Sequence, residues 1–143
     1  MARRLTWRIG RRGAVLILFG IVYVFLGIGY MGPLPETTTD QLVLALNWGM
    51  PIQFWGACWL GVGILGLINA FYPPGKDSYG FITMGLMAYL WSAFLIVGWV
   101  QYQPPRALIL GFLMASFGAA LTIIAGWAEP RGDVVRHRRN AHA

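Results

Sequence analysis

Four uncharged apolar runs, each about long enough to cross a bilayer, occupy most of this 143-residue chain. They cover residues 13–31, 51–72, 80–101 and 106–127, with Arg106 at the edge of the last run. An α-helix needs about 20 apolar residues to cross a hydrocarbon layer of about 30 Å. Within lipid, only helices and closed barrels satisfy every backbone polar group. Because the runs are continuous rather than alternating in polarity, they predict an all-α integral membrane bundle of four transmembrane helices.

The composition argues against a soluble four-helix bundle. Hydrophobic residues make up 57% of the chain and charged residues 11%, whereas a soluble domain carries about 25% charged residues. Each helix of a soluble bundle keeps a polar face, and none of the four runs has one. The net charge of +6 comes mainly from arginines beside apolar runs, which favours the lipid bilayer as partner over nucleic acid.

The distribution of basic residues predicts the orientation. With four spans, ten of the eleven Lys and Arg residues fall on one side of the membrane and only Arg106 on the other. The positive-inside rule places the basic side, with the tails 1–12 and 128–143, in the cytoplasm, and the protein in the plasma (inner) membrane. The tail arginines expected to fix topology and contact lipid headgroups are Arg3, Arg4, Arg8, Arg11, Arg12, Arg131, Arg136, Arg138 and Arg139.

The first run also fits a secretory signal peptide, with cleavage after Gly29. Cleavage would leave three spans and a cytoplasmic C-terminus. The run continues through Met31 and contains no Ala-x-Ala motif near that point, which favours an uncleaved first span.

Prolines mark two of the three connections between spans. Tyr72–Tyr79 and Gln101–Arg106 each contain a Pro-Pro pair, and proline stops a helix because it lacks a backbone N–H and clashes with the preceding turn. Such short connections predict that consecutive spans are antiparallel neighbours.

The first connection is longer and holds an apolar stretch, Leu42–Trp48. Thr39 or Asp40 is a suitable cap for a helix start, and Gly49 is a suitable end. A helix of this length is too short to cross a bilayer, so we expect it to lie at the outer interface or to cap the bundle.

No segment carries a recognisable catalytic, metal-binding or cofactor-binding motif. The single cysteine, Cys58, cannot form an internal disulfide. Proton-coupled carriers keep a titratable group within the bilayer, but every acidic residue here falls in a connection or a tail: Glu36, Asp40, Asp77, Glu129 and Asp133. We therefore expect a non-enzymatic protein that needs no cofactor.

Small residues recur at intervals of four or seven positions within the spans. Such rows allow helix backbones to approach closely and gain van der Waals contact. They predict packing either within one chain or between copies in a homo-oligomer. The candidate positions are Gly63 and Gly66 in the second span and Gly111, Ala115, Gly118, Ala119 and Gly126 in the fourth.

Polar and large aromatic side chains also occur within the spans. An unpaired polar group in lipid is costly, so these side chains are expected to face neighbouring helices or a wet crevice. Hydrogen bonding between helices is the simpler expectation, and the lining of a pore or of a small-molecule groove is the alternative. The candidates are Tyr23, Trp59, Asn69, Tyr89, Trp91 and Ser92.

An arginine-rich start followed by the segments Arg12–Gly20, Phe54–Gly61, Pro73–Phe81 and Ala125–Pro130 resembles the small multi-spanning membrane proteins of actinobacterial phages and prophages. The resemblance covers most of the chain and consists of glycines, tryptophans and turns. Some of those proteins are treated as holins, which open the inner membrane at lysis. The resemblance implies a holin-like protein that self-associates and permeabilises the membrane. The alternatives are an accessory subunit that anchors a membrane or phage protein and, less favoured, a small four-span transporter.

Overall fold

The computed structural model describes residues 10–33, 38, 42–72, 76–104 and 106–126. These residues form five helices and contain no strand: α1 (Arg11–Met31), α2 (Val43–Asn47), α3 (Ile52–Asn69), α4 (Ser78–Tyr102) and α5 (Ala107–Ala125). All except α2 are long and apolar enough to cross a membrane. The predicted all-α membrane bundle is therefore confirmed, and the chain is a multi-pass membrane protein. The ends of the four long helices differ from the predicted limits by at most three residues.

Local backbone chemistry explains where the helices begin and end. Gly49 has a φ of +76°, a conformation that costs glycine little because it has no Cβ atom, and Pro51 then precedes α3 with a φ of −65°. At the end of α4, Gln103 is left-handed and its N–H donates to the Trp99 carbonyl. Pro104 follows and cannot continue the helix.

The four long helices form two antiparallel pairs. Helix α1 packs along α3, and α4 packs along α5, while α3 and α4 join the pairs less extensively. The rings of Phe19 and Phe117 meet edge to face at 5.9 Å and connect α1 with α5. Helix α4 is the most buried of the four. We call the end where α1 and α4 begin the basic end, because Arg11, Arg12 and Lys76 lie there, and the opposite end the α2 end.

Helix α2 lies across the α2 end and caps the bundle there. Its Ala45 is fully buried, and the Ala45 carbonyl accepts a hydrogen bond of 3.3 Å from Trp55 Nε1 on α3. The Asn47 side chain donates to the Tyr102 hydroxyl at 3.1 Å. These two bonds attach the short helix to both helix pairs.

Several predicted features lie outside the described residues. They are the Thr39 and Asp40 caps, the 73–75 turn, and the tail arginines Arg3, Arg4, Arg8, Arg131, Arg136, Arg138 and Arg139.

Candidate functional site

Glycines form the contact between α1 and α3. A methyl group added at Gly27 would lie 2.6 Å from the Leu60 nitrogen and 2.8 Å from the Gly56 carbonyl oxygen. One heptad away, a methyl group on Gly63 would lie 2.9 Å from the Gly20 carbonyl oxygen. The two backbones therefore touch at two levels, and any side chain larger than hydrogen would separate them.

Glycines that face α4 meet side chains of that helix first. A methyl group at Gly66 would lie 2.6 Å from the Met84 sulfur, and one at Gly118 would lie 2.9 Å from the Tyr89 ring. At Gly111 the nearest atom would be Ile96 Cγ1, also at 2.6 Å. These predicted packing positions thus all lie at contacts between helices of the same chain.

The remaining small residues of α5 are placed differently. Ala115 and Ala119 are half-buried. Gly126 is exposed, and among the described residues an added methyl group would meet only two carbonyl oxygens of its own helix. Gly126 therefore contacts no other helix within the described part of the chain, and its packing against a second copy stays a prediction.

An aromatic cluster fills the centre of the bundle between α1, α3 and α4. Tyr23 and Trp59 meet edge to face at 4.6 Å, and Trp59 and Trp91 do so at 5.6 Å. Trp55 and Phe94 extend this cluster towards the α2 end. All five side chains are buried, so they form a packed core and leave no open lining for a channel.

Hydrogen bonding by the polar side chains of this core agrees with the expectation at Tyr23 but not at Asn69 or Trp59. The Tyr23 hydroxyl donates to the Met84 carbonyl at 2.9 Å and bridges α1 and α4. The Asn69 amide instead donates to the Leu65 carbonyl within α3, because a short polar side chain on a helix can reach the carbonyl four residues earlier. Trp59 Nε1 has no hydrogen-bond acceptor among the described residues. Interhelical hydrogen bonding is therefore wrong for Asn69 and Trp59. Ser92, another of the predicted polar residues, is buried.

Tyr89 is the one predicted intramembrane polar residue that is exposed, at 42%. Its hydroxyl lies 3.4 Å from Thr122 Oγ1, which itself donates to the Gly118 carbonyl at 2.8 Å. Both side chains line a groove of about 210 Å³ between α4 and α5, together with Gly85. A methyl group at Gly85 would have no atom closer than 3.9 Å, so this glycine leaves the groove open.

A buried ion pair joins the two helix pairs at the basic end. Arg12 Nε lies 2.9 Å from Asp77 Oδ2, and both side chains are more than nine-tenths buried. The Arg12 guanidinium also lies 5.2 Å from the centre of the Phe81 ring, a distance at which a cation is attracted to an aromatic face.

Arg12 was predicted to contact lipid headgroups, and this prediction is wrong because Asp77 draws its side chain into the bundle. Arg11, by contrast, is exposed. One signal for the pair was present in the sequence: Asp77 is the acidic residue in the connection that reaches the end where α1 begins. Its partner was not evident because 64 residues separate Arg12 from Asp77.

No group of three His, Cys, Asp or Glu residues that could hold a metal ion lies in the part of the chain that the structure describes. Cys58 is a half-buried free cysteine. Comparison of the chain with models of known protein families, with curated proteins and with solved structures finds no match. The class of protein therefore rests on the fold alone: a polytopic helical membrane protein with a filled interior.

Proposed function

We propose that this chain is a non-enzymatic accessory protein of the plasma membrane that binds a transmembrane helix of a partner protein in the groove between α4 and α5. The observation that supports this most directly is the exposed Tyr89 side chain in the groove that Gly85 also lines. Small residues that permit close approach, together with a polar group that can hydrogen-bond across helices, are the features by which membrane helices associate.

The packed interior favours an accessory role over a hole within one chain. The aromatic cluster around Trp59 and Trp91 occupies the centre of the bundle. Four of the predicted small-residue positions are in contact with other helices of the same chain: Gly63, Gly66, Gly111 and Gly118. They are therefore not available for assembly between copies, which was the feature that suggested self-association.

The groove defines the chemistry of the partner helix. Thr122 Oγ1 already donates to its own helix, and its contact with the Tyr89 hydroxyl, at 3.4 Å, is long for a bond between two hydroxyls. A carbonyl or amide oxygen on a partner would accept a better hydrogen bond from Tyr89. The partner helix would place a small residue over Gly85 and apolar side chains on Ile82 and Leu86, which also line the groove.

The proposed orientation places the basic end in the cytoplasm. Arg11 and Lys76 are exposed there, and the sequence adds the tail arginines to the same side. Positive charge near the ends of spans is retained in the cytoplasm during insertion. We therefore expect a reporter enzyme that works only in the cytoplasm to be active when it is fused after Ala143. A reporter that works only in the periplasm should be inactive at the same position, and its activity would contradict this orientation.

A photo-crosslinking amino acid at Leu86 tests the proposed function in the cells that encode the protein. Leu86 lines the groove and is 64% exposed, while Phe25 on α1 is 69% exposed, does not line the groove and provides a matched control. We expect one adduct with a different membrane protein from position 86 and none from position 25. Adding Gly85→Leu should abolish that adduct by filling the groove. If position 86 gives no protein adduct, or if both positions give the same one, the proposal fails.

A holin-like function is the second candidate, favoured by the wide lipid-facing surfaces of α1 and α5, in which only 22% of the spanning residues are buried. Copies that associate through these surfaces would enclose a hole between chains rather than within one. Induced expression in a bacterium, with membrane potential as the readout, distinguishes the two functions. Collapse of the potential together with self-adducts would favour the holin-like function. An unchanged membrane potential at high expression would exclude the holin-like function.

A further inference from the structure

Phe81 belongs both to the groove between α4 and α5 and to the surroundings of the ion pair at the basic end. Among the residues of α4 that line the groove, it is the nearest to that end. Its side chain is only 2% exposed, so the ring is a buried wall of the groove. The Arg12 guanidinium lies 5.2 Å from the centre of this ring. A side chain that shapes the groove therefore lies next to a charge carried by α1.

Asp77 and Phe81 hold the guanidinium between them. They are four residues apart at the start of α4, and side chains at this spacing lie on the same face of a helix. Asp77 Oδ2 lies 2.9 Å from Arg12 Nε, and the Phe81 ring faces the same guanidinium. The attraction between a cation and a ring is stronger when both are removed from water, and both side chains are more than nine-tenths buried. The carboxylate thus keeps the cation inside the bundle, and the cation holds the ring.

The backbone beside Phe81 is already packed closely against two other helices. A methyl group added at Gly80 would lie 2.9 Å from Asn69 Cβ and 3.1 Å from Leu16 Cδ2. Helix α4 therefore cannot move closer to α3 or α1 at this level. The orientation of the Phe81 side chain about its own bonds is the remaining variable. Removal of the charge beside the ring would consequently change the shape of the groove.

We infer that Arg12 and Asp77 are positioning residues for the groove, because their ion pair fixes the Phe81 ring against which a partner helix packs. The inference rests on the proposed function for this consequence. Without the carboxylate, the guanidinium would extend towards the headgroups and water, as long basic side chains do at the edge of a membrane, and the ring would lose its cation. Coupling between two sites is reciprocal, so a partner helix in the groove would in turn stabilise the ion pair.

The first measurement follows the ring in the absence of any partner. Para-fluorophenylalanine at position 81 of the purified full-length protein reports the surroundings of the ring through its fluorine resonance. Asp77→Asn and Arg12→Gln should shift this resonance in the same direction, because both take the guanidinium away from the ring. Tyr23→Phe is the matched control, since it removes a different contact between α1 and α4, and it should leave the resonance in place. A resonance that neither ion-pair variant shifts would overturn the inference.

The second measurement tests whether the position of the ring matters to the partner. Coupling between two sites commonly changes affinity by about five-fold or more. At equal amounts of folded protein, the adduct from position 86 should therefore form about five-fold more slowly in Asp77→Asn and in Arg12→Gln. Arg12→Lys keeps the positive charge and should retain most of the adduct.

Phe81→Leu separates positioning of the ring from a general loss of packing. In this background the ion pair has no ring to position, so Asp77→Asn should cause no further loss of the adduct. A further five-fold loss there would show that the ion pair acts by another route, and would overturn the inference.

The two readouts distinguish failure of this inference from failure of the proposed function. If the wild-type protein gives no adduct from position 86, the proposed function is rejected, and the fluorine resonance still decides whether the ion pair holds the ring. If the wild-type adduct persists undiminished in both ion-pair variants, this inference is overturned and the proposed function stands.

Discussion

The α1–α3 and α4–α5 interfaces both depend on glycine, but the glycines meet different atoms. Between α1 and α3, Gly27 lies against the backbone of Leu60 and Gly56. Between α4 and α5, Gly118 lies against the ring of Tyr89, which is 42% exposed to lipid. A helix backbone moves only as a unit, whereas an exposed ring can rotate away. The first interface therefore fixes one register, and the second can adjust, which suits it to receive another helix.

The largest expected effect comes from Gly27→Ala. The added methyl group would lie 2.6 Å from a backbone nitrogen, so α1 and α3 must move apart, and we expect the free energy of unfolding to fall by about 3 kcal/mol. Titration with SDS from mild detergent micelles, followed by circular dichroism, measures this change.

Gly29→Ala is the control for that experiment, because Gly29 lies on the same helix with no atom within 4 Å of the added methyl group. Its stability should stay close to that of the wild type. Equal destabilisation by the two substitutions would show that replacing any glycine of α1 has this effect, whether or not the glycine contacts α3. The contrast between the two interfaces would then disappear.

Asp77→Asn tests the connection between the two helix pairs. The substitution removes the negative charge that faces the buried Arg12 guanidinium, and we expect a loss of about 2 kcal/mol in the free energy of unfolding. The loss is smaller than in a protein centre because the pair lies near the headgroups. A double-mutant cycle with Arg12→Gln measures the coupling. Strictly additive losses would mean that the ion pair does not hold the helix pairs together.

Gly118→Ala adds one methyl group at the interface between α4 and α5. Tyr89 can rotate towards the lipid, so we expect a loss of only about 1 kcal/mol. The groove should change shape, however, and the photo-crosslinked adduct from position 86 should weaken. A loss as large as that from Gly27→Ala would contradict the distinction drawn between backbone and side-chain contacts.

Tyr23→Phe has the smallest expected effect. It removes the hydrogen bond to the Met84 carbonyl while keeping the ring against Trp59, and hydrogen bonds between membrane helices are worth about 0.6 kcal/mol on average. Tyr72→Phe, at an exposed hydroxyl near the headgroups, is the matched control. If the two variants have equal stabilities in SDS titrations, the Tyr23 bond does not contribute to the joining of α1 and α4.

Much of the architecture was predictable because hydropathy is a local property. The uncharged runs define the four long helices, and the Pro-Pro pair at the end of the third run explains why α4 ends at Tyr102. The apolar stretch that contains Ala45 was likewise recognisable as a helix too short to cross the membrane. The candidate site was less predictable. Trp59 and Tyr89 were both selected as polar aromatics within spans, but one is fully buried and the other faces lipid.

The sequence by itself determined that this chain crosses a membrane four times and concentrates its positive charge on one side, since both properties add up residue by residue along the chain. Only the tertiary structure decided that Gly27 faces backbone, that Tyr89 opens onto a groove, and that Arg12 turns inward to Asp77. Glycine, tyrosine and arginine occur on many faces of these helices. Which of them are buried depends on how two helix surfaces fit together, and that fit is a property of pairs of helices rather than of any one segment.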